Sequence, residues 1–171
     1  MCPVAPIQPY EGPGDYMCGE ITHAVSGKCE FVTLRPGEEE WTPVYEYGIH
    51  ATNVHGDPHE PGLYVIRIKW PPNVMSLPHH HPEDRHITVL SGTWYAGTGE
   101  TWDPETAIAM GPGSYMFHPA GAVHWDGSKD EETVIEIVGY GPSQLIPVVP
   151  GPNEFSRVEP STSTSGAAQR N

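Results

Sequence analysis

The stretch LPHHHPEDRHITVLSG, residues 77–92, places four histidines within eight positions and then runs into a strand-like segment that ends at a glycine. Histidine is a poor choice for plain surface, where Lys or Glu is better hydrated. It is also a poor choice for plain core, because each ring nitrogen needs a hydrogen-bond partner. A cluster of this density therefore predicts that the segment binds a group from outside the chain.

The spacing of the histidines favours a metal ion. His79 and His81 are separated by one residue, so on an extended chain both rings point to the same side and His80 points away. Their Cα atoms would lie about 6.6 Å apart, which lets two rings converge on a metal at about 2.0–2.2 Å per nitrogen. Residues 111–127 offer His124 as a third nitrogen. The pattern predicts a three-nitrogen metal site, with structural or surface histidines as the alternative.

The composition predicts an all-β fold. The 171 residues include 19 Gly and 20 Pro, a share that is high but below the roughly 25–30% of disordered low-complexity chains. The length corresponds to one domain with enough mass to bury a core. Combined with Val, Ile, Tyr and Trp, this composition is typical of short strands joined by tight turns.

Apolar and polar residues alternate in the clearest strand, LYVIRIKW at residues 63–70, with the two-residue period of a half-buried strand. Five further strands are predicted, at 30–34, 42–49, 86–92, 114–118 and 133–141, with TWYAGTG (93–99) as the hairpin partner of 86–92. Residues 103–110 could carry one helical turn. Several short strands with regular turns predict a sandwich or barrel.

Three regions are expected along the chain. Residues 1–60 are expected to form an irregular arm and the first strands, packed on a barrel. Residues 61–150 are expected to form the barrel core. Residues 151–171 form a tail rich in Pro, Ser and Thr, for which we expect disorder.

The net charge of −14, with only eight Lys and Arg, argues against two classes of partner. Nucleic-acid binding needs clustered cations, and those of this chain do not cluster, so no nucleic acid is expected. An anionic membrane surface is disfavoured for the same reason. No apolar run approaches the roughly 18 residues of a membrane span.

The N-terminal sequence points to the cytoplasm. MCPVAPIQPY has neither the basic start nor the apolar core of a secretory signal. The three cysteines, Cys2, Cys18 and Cys29, match no zinc-binding or Cys-x-x-Cys spacing, which favours free thiols in a reducing compartment. We therefore expect a soluble cytoplasmic protein.

Two motifs resemble those of the cupin family. HHHPEDRHITVLSG, residues 79–92, resembles the first motif at three positions, His79, His81 and Gly92. GSYMFHPAGAVH, residues 113–124, resembles the second at four positions, Gly113, Pro119, Gly121 and His124. The resemblance implies a cupin-type double-stranded β-helix, a jelly-roll barrel, in which His79, His81 and His124 hold a divalent metal.

The first motif departs from the family pattern where a Glu ligand is usual, because this chain has Arg85 and a cation cannot ligate a metal. His86 is an alternative ligand, since some cupins place the Glu one residue later. Strand alternation argues against His86, because an inward Arg85 would turn His86 outward unless a bulge intervenes. In that case His86 is a packing or supporting residue.

Arg85 itself has two interpretations. It could project into the barrel and contact the anion of a substrate. It could instead form an ion pair with one of three carboxylates, those of Glu83, Asp84 and Glu136.

The resemblance implies an enzyme. Three neutral imidazoles would leave a divalent ion its full charge, which favours a chelating anion as substrate and leaves positions open for water or O₂. Similar three-histidine cupins include dioxygenases that cleave diketones, hydroxyketones and aromatic acids with Fe(II). The resemblance therefore implies an Fe(II) oxidoreductase, with Zn, Ni, Mn or Cu as alternative ions. Tyr64 and Tyr115 are candidate pocket residues, with core packing as the alternative.

Other functions stay open at this point. A non-redox isomerase, cyclase or lyase would use Zn or Ni as a Lewis acid. A sensor or binding module would hold the ion without turnover, and Arg85 could mark a site that has lost its metal. Cupins often pair, so the resemblance also implies a homodimer.

Overall fold

The computed structural model describes residues 31–151 and 154–159. All the elements given below lie in the unit Leu34–Asn171. The predicted arm up to residue 30 and the predicted tail from residue 160 lie outside the described residues.

Two antiparallel sheets make up the described part of this unit. The first sheet has six strands, β1 (Thr42–Pro43), β2 (His50–His55), β3 (Gly62–Trp70), β6 (Arg85–Ser91), β9 (Tyr115–His118) and β11 (Thr133–Gly141). The second has seven, β4 (Val74–Ser76), β5 (His79–His80), β7 (Trp94–Thr98), β8 (Ile108–Met110), β10 (His124–Ser128), β12 (Ile146–Pro147) and β13 (Phe155–Arg157). Two 3₁₀ helices are η1 (Glu46–Gly48) and η2 (Pro104–Thr106).

Strands that are distant in sequence are neighbours in both sheets. The first sheet runs β1-β2-β3-β11-β6-β9, and β11 pairs with β3 from Thr133 opposite Trp70 to Gly141 opposite Gly62. In the second sheet, β10 pairs with β4, β5 and β7. This long-range pairing is what brings the two histidine-bearing motifs together.

The core lies between the two sheets. In β11, Ile135 and Ile137 are buried and alternate with half-buried residues, the pattern of a strand with one face on the core. The other sheet contributes Val74 and Trp94, both fully buried, to the same cluster. Burial of side chains from both sheets holds them together, at about 1.5–3 kcal/mol for each fully buried large apolar side chain.

The long predicted strands are confirmed. Those at 63–70, 86–92, 114–118 and 133–141 correspond to β3, β6, β9 and β11 with ends that differ by one residue at most. The helical turn expected in 103–110 is η2, where the Asp103 side chain accepts from the backbone N–H of Glu105. No helix in the described residues has the length and apolarity to cross a membrane.

Three parts of the strand prediction are wrong, although TWYAGTG does contain a strand, β7. Residues 31–34 carry no strand, and 42–49 is a strand only at Thr42–Pro43. There the chain turns into η1, because Tyr47 (φ 65°) and Gly48 (φ 84°) adopt left-handed conformations that interrupt an extended chain. TWYAGTG is not the hairpin partner of β6, because β7 crosses to the other sheet and pairs with β10 and β8.

Candidate metal centre

The two motifs meet at strands β5 and β10 of the second sheet. His79 of β5 lies directly opposite His124 of β10 in the antiparallel register. The loop that precedes β10 is tied to the first motif, because the N–H of Gly121 donates to the carbonyl of His81 at 2.8 Å. The N–H of Ala120 donates to Oδ1 of Asp84, also at 2.8 Å. Backbone pairing and loop contacts together therefore hold the histidines near one another.

The three predicted ligand residues, His79, His81 and His124, form one compact group, called here the three-histidine group. Their ring centres lie 4.4 to 5.4 Å apart. One nitrogen from each ring lies within 4.8 Å of the other two. All three side chains are buried, with exposures of 3–6%.

Hydrogen bonds set the tautomer of each of these rings. Nδ1 of His79 lies 2.8 Å from the carbonyl of Leu77, and Nδ1 of His124 lies 2.9 Å from the carbonyl of Ala122. Nδ1 of His81 lies 2.9 Å from a third carbonyl, that of Gln144. A carbonyl only accepts, so each Nδ1 carries the proton and each Nε2 keeps its lone pair.

This arrangement fits a divalent metal ion. A metal-bound histidine usually donates its other ring N–H to a carbonyl or carboxylate, as all three rings do here. Nε2 of His124 is buried without a hydrogen-bond partner among the described residues. Such an orphaned acceptor costs free energy unless something binds it.

Burial keeps these rings neutral, which is the state that binds metal. Desolvation, strengthened by the neighbouring His124, lowers the pKa of His79 to about 3. Desolvation also lowers the pKa of His124 to about 4. The pKa of His81 is lowered further by desolvation and by the adjacent Arg85 cation.

Arg85 points into the barrel, which is the first of the two interpretations given for it above. Its side chain is 9% exposed, and Nη1 donates to Nε2 of His81. Among the described residues, no carboxylate forms an ion pair with Arg85, so the structure does not contain the predicted pairs with Glu83, Asp84 or Glu136. Glu83 instead accepts from the Tyr64 hydroxyl, and Glu136 pairs with Arg67.

His86 and Tyr115 lie outside the site, which corrects their assignment as candidates. They are neighbours on the outer face of the first sheet, where Nδ1 of His86 and the Tyr115 hydroxyl are 2.7 Å apart. Tyr115 is 57% exposed. No bulge occurs in β6 at this position, so His86 alternates outward while Arg85 faces inward.

Tyr64 belongs to the core instead of the pocket. It is fully buried, and its hydroxyl donates to Oε1 of Glu83 at 2.9 Å. Its ring packs on Gly139, where an added Cβ would lie 2.4 Å from the hydroxyl oxygen. Core packing, the alternative considered for this residue, is what the structure contains.

Sequence reasoning missed two buried residues beside the three-histidine group. His118 ends β9, and its ring centre lies 3.8 Å from that of His124. Asp126 follows His124 by two residues on β10 and is 7% exposed. For Asp126 the spacing carries a signal, because a two-residue step along a strand returns to the face of His124. For His118 no such signal exists, because its position depends on the register that sets it opposite Arg85.

A cavity of about 550 Å³ opens onto these residues. Its polar wall includes the side chains of Arg85, His118 and Asp126, besides His79 and His81. Its apolar walls come from both sheets and from the segment before β2, and include Ile49, Ile66, Trp70, Ile87, Ile137 and Phe155. The volume suits a small molecule with a polar end and an apolar body.

Close packing fixes strand β10, which carries two of these residues. The Trp125 indole lies on Gly97 of β7, so close that an added Cβ at Gly97 would come within 2.0 Å of the ring. On the neighbouring strand, Oγ of Ser76 accepts from the N–H of Asp126 at 2.9 Å. These contacts hold His124 and Asp126 in position from both sides.

Known structures share this architecture. Polyketide cyclase RemF from Streptomyces resistomycificus is 16% identical with a TM-score of 0.60, over 73% of this chain and 90% of that chain. An RmlC-like cupin from Ralstonia eutropha is 16% identical with a TM-score of 0.54, over 73% and 78%. KdgF from Halomonas sp. is 21% identical with a TM-score of 0.50, over 63% and 93%. At these identities the likeness shows the fold.

A search of curated proteins found no match. The family model of the ChrR cupin-like domain matches residues 30–144 of the 171. Together with the two antiparallel sheets and the cupin structures of similar fold, this match confirms the predicted jelly roll. The chain belongs to the ChrR cupin-like family of the cupin superfamily.

Proposed function

We propose that this protein is a metal-dependent enzyme that acts on a small chelating molecule, as an Fe(II) dioxygenase of a diketone, hydroxyketone or aromatic acid. One observation carries the proposal. Three buried imidazoles each bring one ring nitrogen to within 4.8 Å of the other two, beside a cavity of about 550 Å³. Imidazole donors suit Fe as well as Zn, Cu and Ni.

His79, His81 and His124 would hold the ion. When bound, Fe(II) supplies positions for two substrate oxygens and for O₂. The chain's carbonyl acceptors at Leu77, Ala122 and Gln144 keep each Nδ1 protonated and each ring in place. This pre-orientation supports the proposal, because metal sites depend on such outer contacts.

Arg85 would bind the anionic end of the substrate. Nη1 donates to the same His81 nitrogen that a metal would take, so metal binding frees this guanidinium for another acceptor. A buried guanidinium forms strong charge-assisted hydrogen bonds with carboxylates and enolates. The apolar walls, with Ile66, Ile137 and Trp70, would exclude water and hold the substrate body.

Oxygen uptake tests the proposal. Untagged protein is loaded anaerobically with one equivalent of Fe(II) and mixed with β-diketones, α-hydroxyketones and phenolic acids in an oxygen electrode. We expect O₂ consumption with one of these classes, in step with loss of substrate, and the same rate in the His86→Ala variant. Full iron occupancy without O₂ uptake on any class would overturn the dioxygenase proposal.

A non-redox enzyme is the second candidate, because an all-imidazole donor set also suits Zn and Ni as Lewis acids. The same panel is therefore run without oxygen on protein loaded with Zn or Ni. Substrate loss under these conditions would favour isomerase, cyclase or lyase chemistry. Tight metal binding with no turnover on either panel would favour a sensor or binding module.

A further inference from the structure

His118 has no role in the proposed function, yet its surroundings require a partner. The side chain is 4% exposed, and neither ring nitrogen has a hydrogen-bond partner among the described residues. A neutral imidazole has one nitrogen with a free lone pair. Buried polar groups in proteins are almost always hydrogen-bonded or bound to a ligand. The ring faces the cavity, next to His124.

The Asp126 side chain lines the same cavity as His118. It follows His124 by two residues on β10, and its carboxyl is buried at the cavity wall. One carboxylate oxygen lies within 4.8 Å of one nitrogen from His118 and one from His124. Buried carboxylates are normally paired with a cation or coordinate a metal. No ion pair to Asp126 occurs within the part of the chain that the structure describes.

We propose that His118, His124 and Asp126, called here the second donor set, form a further divalent-metal position. Two imidazoles and one carboxylate on one side of an ion, with open positions opposite, are a donor set typical of non-haem Fe(II) and also suited to Zn. Asp126 thus brings a carboxylate into this site, where the chain has Arg85 in place of the usual Glu.

The two donor sets exclude each other. Both use His124, whose Nδ1 donates to the carbonyl of Ala122, so only one lone pair, on Nε2, is available. A single ion therefore occupies either the three-histidine group or the second donor set. The second set lowers the charge of the loaded site by one unit relative to the first, because it contains a carboxylate.

Arg85 decides which position is open in this structure. Its Nη1 donates to Nε2 of His81, which engages one donor of the three-histidine group. The histidine nitrogens of the second set carry no such contact: Nε2 of His124 and both nitrogens of His118 lack partners among the described residues. With Arg85 in this rotamer, an ion meets the second donor set first.

Cobalt binding tests this inference without any assay of turnover. Co(II) is added to metal-free protein, and binding is followed by its visible absorption and by equilibrium dialysis. Four single variants distinguish the two donor sets. His81→Ala removes a donor from the three-histidine group only, and His118→Ala removes one from the second donor set only. His124→Ala removes a donor that both sets share, and His86→Ala removes none.

We expect one Co(II) per chain in the wild type and in His86→Ala, and none in His124→Ala. His81→Ala should still bind one Co(II), with a changed absorption spectrum. Adding His118→Ala to His81→Ala should then weaken binding by at least about tenfold, as loss of a ligand or its support does. Adding Asp126→Asn to His81→Ala should do the same.

Two results would overturn the inference. One is a folded His81→Ala protein that binds no Co(II). The other is a His81→Ala protein whose Co(II) affinity is unchanged by His118→Ala and Asp126→Asn. Circular dichroism checks folding, and His79→Ala replaces His81→Ala if the latter does not fold. Because no substrate is present, a protein that binds Co(II) in this pattern but takes up no O₂ with iron contradicts only the proposed function.

Discussion

Arg85 and His118 lie directly opposite each other on the antiparallel strands β6 and β9, and both side chains are buried in the barrel. Register partners on one face of a sheet have Cβ atoms about 4.5–5.5 Å apart. A permanent cation and a neutral imidazole are thus held side by side next to the histidine donors. This pair gives the site its two unusual features, a charge in place of the usual carboxylate and an unpartnered imidazole.

Replacing His124 should abolish metal binding. His124 belongs to both donor sets, so we expect His124→Ala to lower metal content from about one ion per chain to near zero. A metal ion at a free concentration of 100 times its Kd stabilises the folded state by about 2.7 kcal/mol. The variant should lose this gain, so its melting temperature with metal present should equal its metal-free value. Elemental analysis and thermal unfolding with and without EDTA measure both effects.

His86→Ala is the matched control for that variant, because His86 is exposed on the opposite face of the sheet and contacts Tyr115. Its metal content and its gain in stability on metal binding should equal those of the wild type. Unchanged metal content in His124→Ala would remove His124 from the ligand set.

Arg85→Glu should tighten metal binding and weaken binding of anions. The variant places a carboxylate where the family usually has one and removes a cation that donates to His81. We expect a Kd for Zn lower by at least about tenfold, the size of one charge-assisted contact of about 1.5–3 kcal/mol. Competition with a chromogenic chelator measures this Kd.

Arg85→Gln separates the two contributions, since it removes the charge without adding a ligand. Its Zn affinity should lie between those of the wild type and Arg85→Glu. If neither substitution changes the affinity or the occupancy, the side chain at position 85 does not reach the ion.

Acid should destabilise the metal-free protein. Four buried histidines, His79, His81, His118 and His124, have pKa values lowered well below 6.5 by desolvation. Between about pH 6.5 and 5.5 the unfolded chain takes up protons that the folded rings do not, which costs about 1 kcal/mol of stability for each histidine.

Asp126 acts in the opposite direction, because burial raises its pKa to about 7. Its contribution to stability is present at low pH and is lost as pH rises through about 7, which offsets about 1 kcal/mol of the histidine effect over the same window. Urea unfolding in EDTA should therefore show a net loss of about 3 kcal/mol between about pH 6.5 and 5.5, and a steeper loss in Asp126→Asn. A flat profile would contradict the burial of these rings as neutral groups.

Gly97→Ala should destabilise the barrel next to the site. The new Cβ would come within 2.0 Å of the Trp125 ring, which is fully enclosed and cannot move away freely. Overpacking of this kind typically costs about 1–3 kcal/mol. Gly111→Ala is the control, because nothing lies within 4 Å of its Cβ position. Equal urea midpoints for the two variants would show that the indole shifts without cost.

Alternation made the long strands predictable. β3, β6 and β11 each bury one face, so most residues on that face are apolar and the period appears in the sequence. The short strands β5, β12 and β13 have two or three residues, too few to show a period. The strands with which they pair determine their positions. Pairing with β10 likewise places β7 in the second sheet.

The sequence by itself determined which neighbouring side chains point to the same side of a strand. The two-residue step from His79 to His81 turns both rings to one side, and the alternation of β6 requires Arg85 and His86 to face opposite sides of the sheet. That Arg85 is the one that faces inward is a property of the folded sheet. The family motifs pointed to His124, and the match over residues 30–144 agrees with the family.

Only the tertiary structure decided which of these side chains meet. Register across distant strands sets Arg85 opposite His118 and His79 opposite His124. Folding also buries the Asp126 carboxyl between the two sheets. Such register depends on hydrogen bonds and packing between segments far apart in the chain, and local sequence spacing holds no information about them.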